Sequence, residues 1–140
     1  MSNEKARAFR FVSRSLVVLT VLVGATGTAI AQAVGGAEKA IPVRGDPGIS
    51  YMEVMNLPEF TVMRDYAQPG ATRSMHAHDG VKWIVFTLVT GQLLLTIEGQ
   101  APVELTQGQV LNLSGSARHT FKNTGTATAT IVEVFINDRK

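Results

Sequence analysis

From Ile49 onward the chain runs in short stretches where apolar and polar residues alternate, each broken by Gly, Pro or Asn. A period of two is that of a strand with one buried face. The pattern predicts strands over residues 51–55, 59–66, 72–78, 82–90, 92–98, 102–105, 109–113, 117–122 and 127–136. Gln68-Pro69-Gly70 and Asp79-Gly80 read as turns, since proline fixes φ and glycine accepts a positive one. In the second stretch Phe60, Val62 and Arg64 share one face and Thr61, Met63 and Asp65 the other. In the last, Ile131, Glu133 and Phe135 alternate against Val132, Val134 and Ile136. Residues 82–90 break the alternation. Trp83, Ile84, Val85, Phe86, Leu88 and Val89 make an almost continuous apolar run, which predicts a strand buried on both faces or a central strand of a closed barrel. No segment of this region has a helical period. Nine short strands at regular spacing predict an all-β sandwich or barrel, with the alternation of a small jelly roll.

Two segments precede it. Residues 32–48 hold Gly35, Gly36, Pro42, Gly45, Pro47 and Gly48 and read as a flexible lead-in to a single domain over residues 49–140. Residues 1–31 carry Lys5, Arg7, Arg10 and Arg14, then an uncharged run whose Leu16 to Val23 is almost wholly apolar. Ala29-Ile30-Ala31 and Ala31-Gln32-Ala33 offer small-x-small cleavage patterns. This predicts a signal peptide cut after Ala31 or Ala33, and a periplasmic or secreted protein. The uncharged run is long enough to span a bilayer, so an uncleaved leader would be the chain's membrane contact.

Cleavage changes the charge. The 13 basic residues lose those four and the 11 acidic residues lose Glu4, which turns a formal +2 into −1. No basic cluster remains to suggest nucleic acid. The chain has no cysteine, so neither a disulfide nor a thiolate ligand or nucleophile is available, and stability rests on the core or on a metal.

The candidate chemistry lies in the histidines. The chain has three, His76, His78 and His119. Two at i, i+2 on a strand project to one face, and a third from a distant strand can complete one side of a metal's shell. Neutral imidazole suits zinc, copper, iron, nickel and often manganese.

The surrounding residues resemble the two motifs of the cupin superfamily. Gly70, five residues, His76-Ala77-His78 and later Gly91 match the first. Gly108, His119 and Asn123 match the second at its offsets. The resemblance covers roughly residues 59–136 and implies a jelly-roll β-barrel with one divalent metal ion, of iron, manganese, nickel, copper or zinc, on His76, His78 and His119. Two departures stand out. The glutamate ligand of the first motif should fall at Lys82, Trp83 or Ile84, and none of these is such a ligand. The Pro-x-Gly of the second is Ser114-Gly115-Ser116 here, a changed turn expected to touch no ligand. Glu53, Asp79, Gln92 and Glu133 are the alternative oxygen donors, with none preferred.

With the leader, the resemblance implies that the exported protein is a small metalloenzyme, an oxygenase on a small organic substrate, or alternatively a module that binds a metal or small molecule without turnover. The plain alternative is three packed histidines in a barrel without metal. Single-domain cupins often dimerise, which makes residues 51–55 the candidate pairing segment of a homodimer. Arg73 and Arg118 lie at odd offsets from their neighbouring histidines and should face out. Lys82 reads as a solvated strand end, and Trp83, Phe86, Phe121 and Phe135 as core. Tyr66 reads as core or as lining the barrel mouth. Met52, Met55, Met63 and Met75 look like a copper set but are more simply gap-fillers.

Overall fold

A computed structural model describes residues 36–138. The predicted leader, residues 1–31, lies outside them. A 3-10 turn, Ala37–Lys39, is followed by nine strands: β1 Ile41–Pro42, β2 Ile49–Asn56, β3 Phe60–Ala67, β4 Val81–Thr90, β5 Gln92–Ile97, β6 Val103–Thr106, β7 Val110–Ser114, β8 His119–Asn123 and β9 Ala129–Asn137. They form two sheets, β1-β2-β3-β9-β4-β7 and β6-β5-β8, with every recorded pairing antiparallel. The all-β expectation holds. No described helix is long and apolar enough to cross a membrane.

The core lies between the inner faces of the sheets. Ile84, Phe86 and Leu88 of β4 meet Leu93 and Leu95 of β5, Phe121 of β8 and Ile131 of β9, all buried. At the β4–β5 turn Gly91 has φ +95°, and a Cβ there would stand 2.8 Å from Ala129. Only glycine meets both conditions without strain.

The structure corrects three expectations. From residue 36 onward the lead-in is paired and packed rather than without structure. Ile41 and Pro42 pair with Tyr51 and Ser50, and Asp46 is 3% exposed. Its order comes from the side-chain bonds that Asp46 accepts, which composition does not reveal. Strand β4 is an interior strand, between β9 and β7, but it is not buried on both faces. Trp83 is 42% exposed and Val89 39%, because they sit on the outer face of the six-stranded sheet, opposite Ile84, Phe86 and Leu88.

Third, residues 72–78 are not a strand. They run antiparallel beside β8 but touch it through isolated bridges, Thr72 with Lys122 and His76 with His119. A regular ladder from Thr72 would set Met75, not His76, opposite His119. One extra residue is therefore accommodated between the bridges, as in a β-bulge. The amide of Arg73 donates to the Phe121 carbonyl at 2.9 Å, and the next amide, Ser74, donates to Asp46 Oδ2 at 3.0 Å.

Candidate metal centre

His119 opens β8 and is fully buried. His76 faces it through two backbone bonds, His76 N to His119 O at 2.9 Å and His119 N to His76 O at 2.8 Å. His78 is held by its amide, which donates to the carbonyl of Gly115 at 3.0 Å. This corrects the expectation that the Ser114-Gly115-Ser116 turn touches no ligand. Two rings are oriented by backbone carbonyls at Nδ1: Ser74 for His76 at 2.8 Å and Ala117 for His119 at 2.9 Å. A hydrogen bond at Nδ1 leaves Nε2 as the free lone pair.

The rings converge. Their centroids are 4.9, 4.5 and 5.5 Å apart, and one nitrogen from each lies within 4.8 Å of the others. Nε2 of His78 and of His119 are buried without a hydrogen-bond partner among the described residues. A buried ring nitrogen without a partner is costly unless something completes it. Phe135 packs its ring 4.4 Å from that of His78. Burial is the main reason that the imidazolium pKa of His76 and His78 falls to about 4, with neighbouring imidazoles adding to it. His119 is lowered as well, chiefly by burial. All three are neutral near pH 7, the form that donates to a metal. The donor set fits a divalent ion of the kind that takes imidazole.

A cavity of about 320 Å³ opens beside the histidines, walled by His76, His78, Arg73, Asp65, Glu133 and Phe135 among others. Arg73 was expected to face out. The extra residue between Arg73 and His76 reverses the parity and brings both to the cavity. Its guanidinium pairs with Asp46, which also accepts from the Ser74 hydroxyl. Burial works to raise the Asp46 carboxyl, and the bonds from Ser74 and Arg73 outweigh it, holding it below the ordinary range. Asp46 went unread because it sits 30 residues ahead of His76 in a glycine-rich stretch.

The other expected positions divide. Arg118 is exposed, near Glu98 at 3.8 Å. Lys82 is exposed, as read, and Trp83 is not core. Of the oxygen donors, Glu53, Asp79 and Gln92 are exposed, whereas Glu133 is 4% exposed and lines the cavity. The methionines do not gather. Met55 is exposed, Met52 accepts from the buried Tyr66 hydroxyl, and Met63 alone of the four lines the cavity.

The family model for the cupin domain matches residues 65–135. The chain belongs to the cupin family. No curated protein matches it. Among solved structures this cupin is similar to KdgF from a Halomonas species, at 19% identity over 71% of this chain and 88% of that one, TM-score 0.62. It is similar to a predicted oxalate decarboxylase from Thermotoga maritima, at 19% identity over 76% of this chain and 100% of that one, TM-score 0.62. It also resembles a recombinant oxalate oxidase in complex with glycolate, at 20% identity over 64% of this chain and 51% of that one, TM-score 0.58. At these identities the likeness is one of fold.

Proposed function

We propose that this cupin holds one divalent metal ion on His76, His78 and His119 and presents it to a small organic molecule in the adjoining cavity. The observation that carries this is the convergence of three neutral imidazoles within 4.8 Å, two with buried and unpartnered Nε2 atoms. Iron, manganese, nickel, copper and zinc are the candidates. When bound, such an ion supplies Lewis-acid polarisation of a ligand oxygen and, if redox-active, oxygen chemistry. The protein supplies orientation through Ser74, Ala117 and Gly115, and apolar walls through Met63, Phe121 and Phe135.

The activity we assign is that of an oxygenase on a small organic substrate. Two fold neighbours are described as an oxalate oxidase and a predicted oxalate decarboxylase, which supports a small, oxygen-rich acid or carbonyl compound as the substrate class. The test is dioxygen consumption by the iron-loaded chain over a panel of thiols, diketones and phenols, beside His119→Ala. Uptake that the variant lacks supports the oxygenase. Tight binding without uptake supports the second reading, a binding module. One observation favours that reading: the positions of the family's glutamate hold exposed Lys82 and Trp83 and buried Ile84.

We read the chain as exported, on the strength of the basic and apolar leader in residues 1–31. An N-terminus at Gln32 or Val34 in protein recovered from the periplasm or medium is the expected result. The homodimer reading finds support on the outer face of the six-stranded sheet, where Trp83 pairs with Ile136 and Val85 with Val134. Trp83 and Ile136 are exposed there. Sedimentation as a single monomeric species would contradict it.

A further inference from the structure

Two acidic side chains reach the cavity from neighbouring strands. In the β3–β9 ladder Met63 pairs with Glu133 and Asp65 with Ile131, so Asp65 and Glu133 are diagonal neighbours on the inner face. They are 8% and 4% exposed. Across the other ladders Tyr51 stands beside Asp65 and Phe86 beside Glu133. Asp65 Oδ2 and Glu133 Oε1 are buried, and no donor of the described residues reaches them. The two carboxyls are thus buried side by side in one cavity wall. Two like charges so placed disfavour double ionisation, which favours a proton held between them.

The pair stands apart from the histidines, whose ligand atoms form a group without it. The cation acting on both carboxyls is Arg73, already engaged by Asp46. The other titratable groups lining the cavity are Tyr51, His76 and His78. The cavity wall thus holds two of the three histidines, His76 and His78, and the carboxyl pair, with Met63, Phe121 and Phe135 among its apolar residues.

We propose that the Asp65–Glu133 pair is an acid–base site that accepts the hydroxyl or enol proton of a small oxygen-bearing ligand lying between the pair and the histidines. This rests on the cavity being the ligand site of the preceding reading. In the step the ligand's O–H bond breaks, its electron pair stays on the ligand oxygen, and the proton joins the carboxylate of the pair. The reverse transfer restores both. The ligand class is a hydroxy- or enol-carbonyl compound or a catechol, with one oxygen for the pair and one for the histidines. Burial raises Asp65 to about 6, near where a general base works best at neutral pH. Burial and the neighbouring Asp65 raise Glu133 as well.

The probe is 4-nitrocatechol, whose visible absorbance reports loss of its hydroxyl proton, added to the zinc-loaded full chain. Glu133→Gln and Asp65→Asn are expected to keep the wild-type zinc content and bind the probe about tenfold more weakly, the loss expected for one hydrogen bond to a charged group. The pH profile of binding is expected to shift with the affinity. Equal affinity and equal pH profiles in wild type and both variants overturn the proposal. Zinc content is measured in parallel, so a wild-type chain without zinc ends the metal reading separately. For that case, or for variants that do not fold, carboxyl-detected carbon NMR of the metal-free wild type decides. Movement of the Asp65 and Glu133 carboxyl resonances on adding the probe supports the site, and unmoved resonances overturn it.

Discussion

Asp46, ahead of β2, accepts the backbone amide of Ser74 at 3.0 Å, and the Ser74 carbonyl in turn meets Nδ1 of His76 at 2.8 Å. A buried carboxylate thus reaches an imidazole of the candidate metal centre through one residue. It also pairs with the Arg73 guanidinium, which lines the cavity.

Replacing Asp46 by Ala is expected to leave the barrel folded and weaken metal binding about 10- to 100-fold, the usual effect of removing a residue that orients a ligand. Competition with a chromophoric chelator measures it. An unchanged affinity would show that the His76 ring holds its orientation without the tether.

Metal is expected to stabilise the fold. At free metal roughly a thousand times the dissociation constant, linkage adds about 4 kcal/mol. A melt with and without chelator reads this directly, and the His76→Ala chain should show no difference between the two.

Stability of the metal-free chain should depend on pH in two opposing ways. His76 and His78 fall from 6.5 to about 4 on folding, so the unfolded chain binds more protons between those values. Their contribution is present above pH 6.5 and lost as pH drops toward 4. Asp65 rises from 3.8 to about 6. Its contribution is present below 3.8 and lost as pH climbs through 6. Urea titrations from acid to neutral pH should therefore show Asp65→Asn gaining on the wild type as pH rises. A pH-independent difference contradicts the burial of that charge.

Gly115→Ala is expected to cost roughly 1–3 kcal/mol, as overpacking does. A Cβ there would run into the Val81 carbonyl, and the carbonyl of Gly115 is the acceptor for the His78 amide. The variant should lose metal affinity along with stability, read from a melt and a metal titration together.

The strands were legible because alternation is a local signal. Ile131, Glu133 and Phe135 fall on the inner face as the pattern requires, and the three histidines come together from two motifs. The failures are non-local. Residues 72–78 alternate like a strand, but a carboxylate from residue 46 binds the Ser74 amide, and the extra residue between the two bridges brings Arg73 to the cavity. The apolar run of β4 mirrors both faces of a sheet whose outer side stays open at Trp83 and Val89. Sequence offered Glu133 only as a stray oxygen donor. Its partnership with Asp65 depends on the β3–β9 register, which no single strand encodes.

The most direct measurement is elemental analysis of the chain purified without a histidine tag, beside His119→Ala. The account predicts near one equivalent of a divalent transition metal per wild-type chain and its loss in the variant. No metal in either chain, with equal stability, would contradict it and leave three histidines that only pack.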